Sequence, residues 1–164
     1  MQKRRNLIVP LVVLTAVAAS RGAAVAGLTI GIGVVTTTPG ALVQVPISMT
    51  GAGSGIGGLQ LDLALPQVLT VSDPTTACAL PPNVPGEVDT ASVPGGIRLL
   101  LFDRQGKAYA NSTLVTCTFA VAGDAPWGGY TLNGSNLMVS DSNGSVVTST
   151  VAAGRVSVCT GCCP

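Results

Sequence analysis

Hydrophobic residues recur at every second position over several short stretches of the chain. Residues 59–65 alternate most cleanly: Leu59, Leu61, Leu63 and Leu65 fall on one side, and Gln60, Asp62 and Ala64 on the other. That period belongs to a strand with one buried face. Residues 42–49 place Val43, Val45 and Ile47 on one side, and residues 114–121 place Val115, Cys117, Phe119 and Val121 on one side. Further strands are predicted at 28–34, 68–71, 97–102, 130–132, 137–139, 145–147 and 155–158. Asn133-Gly134 and Asn143-Gly144 carry the hairpin-turn signature. Thr38-Pro39-Gly40, the glycine-rich 52–58, the proline-rich 73–95, and the segments 104–107 and 123–129 read as connections. No helical period and no internal repeat is visible. About nine short strands at this spacing predict an all-β fold, an antiparallel β-sandwich.

The first 26 residues break this pattern. Lys3-Arg4-Arg5 precede an apolar run over 7–19, and Ala24-Val25-Ala26 supplies a small-x-small site. This is the layout of a secretory signal peptide cleaved before Gly27. The run is shorter than the ~20 residues that cross a bilayer, and Arg21-Gly22 ends it. The expected organisation is therefore a signal peptide at 1–26, a β-sandwich domain at 27–158 and a cysteine-rich tail at 159–164. No second apolar stretch follows, so the mature chain is expected to be extracellular, with no membrane span.

Charge and composition narrow the function. Of 164 residues only 9% are charged, and there is no histidine. Imidazole acid–base chemistry, Ser-His-Asp and Cys-His catalysis and His-ligated zinc are excluded. Lys3, Arg4, Arg5 and Arg21 lie in the leader, so the remainder has four cations against seven acids. Without a basic surplus there is no footprint for nucleic acid.

Five cysteines are present. Cys78 and Cys117 are the two in the body of an exported chain, and they are expected to be bonded to each other. In the tail, Cys159 can close a small ring with Cys162 or Cys163, leaving one thiol for a link to another chain.

The order of the segments resembles a cohesin domain. Thr38-Pro39-Gly40-Ala41-Leu42-Val43-Gln44-Val45-Pro46-Ile47 is similar to that family's Pro-Gly-x-x-Val-x-Val-Pro opening. Gly58 to Leu65 followed by Pro66-Gln67-Val68-Leu69-Thr70-Val71 is similar to its strand and Asp-Pro-x-x-Leu corner, with Leu65 in place of the Asp. Residues 96–99, 114–121, 129–132, 139–144 and 154–158 follow in the family's order. The resemblance implies a jelly-roll sandwich and a non-catalytic module that binds a dockerin-bearing partner in extracellular polysaccharide degradation. It further implies a binding sheet built from 59–65, 97–102, 114–121 and the 137–147 hairpin. With the leucines turned to the core, Gln60 and Asp62 point onto that sheet's outer face. If Ile97, Leu99 and Leu101 also face inward, Arg98, Leu100 and Phe102 join them; in the opposite register they do not. The alternatives are direct binding of polysaccharide and a structural surface protein cross-linked through its tail.

Other candidate sites have simpler readings. Asp141-Ser142-Asn143-Gly144 resembles the start of a calcium loop but lacks the later acidic ligands. A hairpin turn is expected there. Asn111, Asn133 and Asn143 each open a glycosylation sequon, and two of the three also fit as turn residues. Trp127, beside Pro126, is expected to pack over the end of the sandwich; its alternative use is stacking on a pyranose ring. The acids Asp62, Asp73, Glu87, Asp89, Asp103, Asp124 and Asp141 are scattered over strands and turns. No catalytic residues, no metal and no cofactor are expected.

Overall fold

The computed structural model describes residues 27–52 and 55–161. The predicted leader and the end of the cysteine tail lie outside these residues. Twelve strands follow in chain order: β1 Leu28–Ile32, β2 Val34–Thr37, β3 Leu42–Thr50, β4 Ile56–Ala64, β5 Leu69–Thr70, β6 Cys78–Ala79, β7 Glu87–Val93, β8 Gly96–Phe102, β9 Ser112–Val121, β10 Gly128–Asp141, β11 Ser149–Ala152 and β12 Gly154–Val158. One six-stranded sheet runs β11-β1-β3-β9-β5, with β6 also on β9, and the other runs β2-β12-β10-β4-β8-β7. Among the described residues there is no helix, in agreement with the all-β expectation.

Both sheets are mixed rather than purely antiparallel, because β1 pairs β11 and β2 pairs β12 in parallel. The cause is local. The predicted 28–34 strand divides at Gly33, and the chain passes from one sheet to the other there. Gly33 accepts from Arg155 N–H and donates to the Pro46 carbonyl. A Cβ at Gly33 would stand 2.6 Å from Pro46 Cδ, so only glycine fits the crossing.

The inward faces of both sheets meet in one core. Phe119, Ile30, Ile47, Leu61, Leu63, Ile97, Leu99, Leu101, Leu114 and Leu132 are among its fully buried side chains. The predicted one-sided burial of Val43, Val45 and Ile47, and of Val115, Cys117, Phe119 and Val121, holds throughout. Cys78 and Cys117 stand directly opposite on β6 and β9 and are bonded. The bond closes a separation of 39 residues in sequence, worth about 4 kcal/mol in the chain-entropy description.

Three predicted connections differ in the structure. Residues 73–95 contain β6 and β7, the latter an edge strand on β8. Its single buried side chain is Thr90, which donates to the Pro74 carbonyl, so no apolar alternation marks it. The glycine-rich segment at 52–58 gives way to strand by Ile56. Asn133-Gly134 is not a turn: β10 runs through it without a break for 14 residues. A Cβ at Gly134 would lie 2.6 Å from Val151 Cγ2 and 2.9 Å from Leu61 Cδ1, so the glycine answers packing, not chain reversal. The irregularity comes later, at a bulge between Ser135 and Met138, where Asn136 has φ 49°. The turn at Asn143-Gly144 is present, with Asp141 Oδ1 accepting from the Asn143 and Ser145 N–H groups. Residues 145–147 form no regular strand but lie along β10 through Val146 opposite Ser140.

Candidate functional site

The outer face of β10, β4, β8 and β7 carries the candidate site. Strand alternation decides what it displays. Leu59, Leu61 and Leu63 of β4 and Ile97, Leu99 and Leu101 of β8 are buried, so their neighbours turn outward. Register then assembles rows across the sheet. Ser140, Gly58, Phe102 and Glu87 form one row. Met138, Gln60, Leu100 and Asp89 form the next, and Ser135, Asp62, Arg98 and Ala91 the third. The five residues predicted for this face, Gln60, Asp62, Arg98, Leu100 and Phe102, thus lie side by side on two adjacent strands.

The first two rows carry the exposed apolar side chains of this face, Phe102, Met138 and Leu100, among polar neighbours. Leu100, Met138 and Val146 are 40%, 59% and 81% exposed. With Phe102, Gly58 and Gln60 they line a shallow groove of about 390 Å³. Glycine at position 58 deepens it, because the missing side chain leaves the sheet backbone as floor. Arg104 lies over the Phe102 ring, 5.8 Å from its centroid, and also bonds Glu87 at 2.8 Å, giving the groove a charged rim. Met138 and Val146 were not among the predicted contacts. Their signal was present as apolar residues in the 137–147 segment, but only the bulge and the strap along β10 turn both onto this face.

The third row is polar and closed on itself. Arg98 donates from Nε to Asp62 Oδ1 at 2.6 Å and from Nη2 to Oδ2 at 2.8 Å. Asn136 Nδ2 adds a bond to Oδ2 at 2.7 Å. Asp62 points away from the leucines, as expected, yet these partners bury it. The Arg98 hydrogen bonds hold its carboxyl down to about 2 against the opposing effect of burial, with Asn136 and the charge of Arg98 adding to them. Asp62 in turn raises the pKa of Arg98.

Two expectations are corrected here. The segment 114–121 is β9, and it lies in the opposite sheet, paired with β3, so it contributes nothing to this face. Period-two alternation tells which side of a strand is buried but not which sheet holds it; β7 takes the expected place. Trp127 does not pack over the sandwich end: it is 71% exposed, at the opposite end of β10 from Met138. Tyr130 takes the packing role there, partly buried against the core with its hydroxyl donating to the Pro126 carbonyl at 2.6 Å.

Two of the remaining acids serve local structure. Asp73 accepts from the Thr75 N–H and hydroxyl, and Asp103 from the Gln105 and Lys107 N–H groups. No group of three or more His, Cys, Asp or Glu able to hold a metal occurs among the described residues. Nor is any helix among them long and apolar enough to cross a membrane. Tyr109 is buried with its hydroxyl unpartnered, and burial with the nearby Asp103 charge pushes it up to about 12.

Comparison with known proteins bears on the fold. A family model described as Cohesin domain matches residues 28–158. Among solved structures, a type I cohesin–dockerin complex from Clostridium thermocellum superposes with TM-score 0.72 at 17% identity, covering 81% of this chain and 99% of that chain. A non-cellulosomal cohesin from the hyperthermophilic archaeon Archaeoglobus fulgidus gives TM-score 0.69 at 20% identity, covering 82% and 93%. The solution structure of a cohesin from Clostridium acetobutylicum gives 0.66 at 23%, covering 84% and 94%. No curated protein matches the chain in sequence.

Proposed function

The chain belongs to the cohesin family, and from that premise we propose that it is a non-catalytic module that docks a dockerin-bearing partner on the β10-β4-β8-β7 face, in the service of extracellular polysaccharide degradation. The observation that carries this reading is the apolar groove. Leu100, Met138 and Val146 expose large side chains side by side on a sheet face with a charged rim. Contiguous exposure of this kind marks interaction sites, and central apolar anchors dominate their energetics. The similar structures include complexes whose partner is a dockerin.

Export fits the same reading. The leader predicted at 1–26 directs the chain outward, and the Cys78–Cys117 bond suits an oxidising compartment. Titration of the immobilised chain with a panel of purified recombinant dockerins, including those of the type I complexes, tests the reading. Saturable one-to-one binding supports it; no dockerin bound at micromolar concentration contradicts it.

Trp127 favours a second reading, direct carbohydrate binding. Its exposed indole can stack on a pyranose ring. Retention on insoluble polysaccharide that is lost in Trp127→Ala supports that reading, and retention unchanged in that variant contradicts it.

A further inference from the structure

Asp62 stands near the middle of the proposed docking face, but its carboxylate has no unengaged oxygen. Oδ1 accepts from Arg98 Nε, and Oδ2 accepts from both Arg98 Nη2 and Asn136 Nδ2. The Asp62 side chain is only 10% exposed, against 43% for Arg98. A guanidinium carries five N–H groups. Two of those of Arg98 are spent on Asp62, and the others bond no described residue. They border a recess of about 300 Å³ lined also by Ala64, Val93, Pro94, Ser135 and Asn136. Arg98 is also the residue next to the exposed Leu100 on the same outer face of β8, so the apolar groove and the guanidinium adjoin.

From this arrangement we infer that Asp62 is a positioning residue, and that the polar contact at the centre of the face is the free edge of Arg98, donating to a neutral acceptor of the docked protein. This inference rests on the dockerin reading of the face. The acceptor is a backbone carbonyl or an amide or hydroxyl oxygen, as at the C-terminal end of a helix, where the last carbonyls lack intrahelical partners. A carboxylate is disfavoured for two reasons. The Arg98–Asp62 pair is neutral as a whole, so it offers an incoming anion little net attraction, and that anion would sit across one guanidinium from the Asp62 charge. Asp89, exposed in the row beside Leu100, adds a second negative charge at the rim. A protein surface with an apolar stripe, a neutral acceptor beside it and no acid over Arg98 complements these features. Asp62 fixes the direction of the donor: the bidentate grip and Asn136 hold the guanidinium plane before docking, which removes an ordering cost from binding.

A double-mutant cycle on the best-bound dockerin of the panel tests this, with Asp62→Asn, Arg98→Gln and the combined variant, each checked for an unchanged strand spectrum. Arg98→Gln is expected to weaken binding about tenfold. Asp62→Asn is expected to weaken it less, and to add nothing in the Arg98→Gln background. Full additivity overturns the inference, because it means that Asp62 touches the partner itself. The wild-type pair supplies a second readout that needs no variant to fold. In nitrogen-15 spectra the Arg98 Nε–H is expected to be protected from water already in the free chain, and the Nη1–H groups to become protected only in the complex. Nη1–H exchange unchanged by the dockerin overturns the contact. Affinity that falls steeply with added sodium chloride overturns the neutral acceptor. Failure of the wild-type chain to bind any dockerin overturns the reading of the face and this contact with it; binding with additive losses leaves that reading standing and overturns this inference alone.

Discussion

Asp62 and Arg98 occupy opposed positions on β4 and β8 and are joined by two hydrogen bonds, at 2.6 and 2.8 Å. The carboxyl is held down to about 2 from a usual value of 3.8. A depressed carboxyl contributes stability that is complete above its unfolded pKa and is lost as the pH falls through its folded pKa. The relevant window is therefore pH ~4 to ~2. Denaturant unfolding of the wild type and Asp62→Asn is expected to differ by at most about 2 kcal/mol at neutral pH, less after screening at the half-exposed guanidinium. The difference should close as the pH approaches 2. A gap that persists unchanged to the lowest pH would show that the charge of Asp62 is not what the fold uses.

The bond between Cys78 and Cys117 joins a two-strand pair at the edge of the core. Peptide mapping of oxidised protein without reductant should recover these two residues in one cross-linked fragment. Replacing both by serine should lower stability by about 4 kcal/mol. Free thiols at both positions in material folded under oxidising conditions would contradict the structure.

Gly33 and Gly123 should respond in opposite ways to alanine. At Gly33 a Cβ meets the Pro46 ring at 2.6 and 2.7 Å and the Pro46 carbonyl oxygen at 3.0 Å, none of which can swing away. Gly33→Ala should cost about 1–3 kcal/mol, as overpacking does. At Gly123 a Cβ meets nothing within 4 Å, so the variant should be neutral or gain up to about 1 kcal/mol by restricting the unfolded chain. Thermal melts of the two variants decide, and equal effects would mean that the sheet crossing at Gly33 is misplaced.

The strand alternation was legible from residues alone wherever one face is buried. Leu59, Leu61 and Leu63 announced the inward side of β4, and so turned Gln60 and Asp62 outward correctly. The run 97–102 is apolar at nearly every position and admits both registers; the structure settles it by burying Ile97, Leu99 and Leu101, leaving Leu100 exposed. What the alternation does not encode is partnership between strands. Segment 114–121 has the same period whichever sheet holds it, and it was assigned to the wrong one. The edge strand β7 buries only Thr90 and so leaves no period to read. Asn133-Gly134 carries a local turn preference that packing overrides, since Gly134 is needed where Val151 and Leu61 crowd β10. The closed state of Asp62 likewise depends on Arg98 and Asn136, residues 36 and 74 positions away that only the sheet register brings to it.

The central claim is that the exposed apolar groove around Leu100 docks a dockerin. Calorimetric titration of a bound dockerin into wild type and the Leu100→Ala/Met138→Ala variant tests it most directly. Met138 is mostly and Leu100 partly exposed, and neither belongs to the buried core, so the variant should melt within about 4 °C of the wild type, in keeping with the small effect of surface changes on stability. Its affinity should fall by about tenfold or more, the scale of losing a central interface anchor. An affinity equal to the wild type, in a variant that melts normally, would contradict the claim.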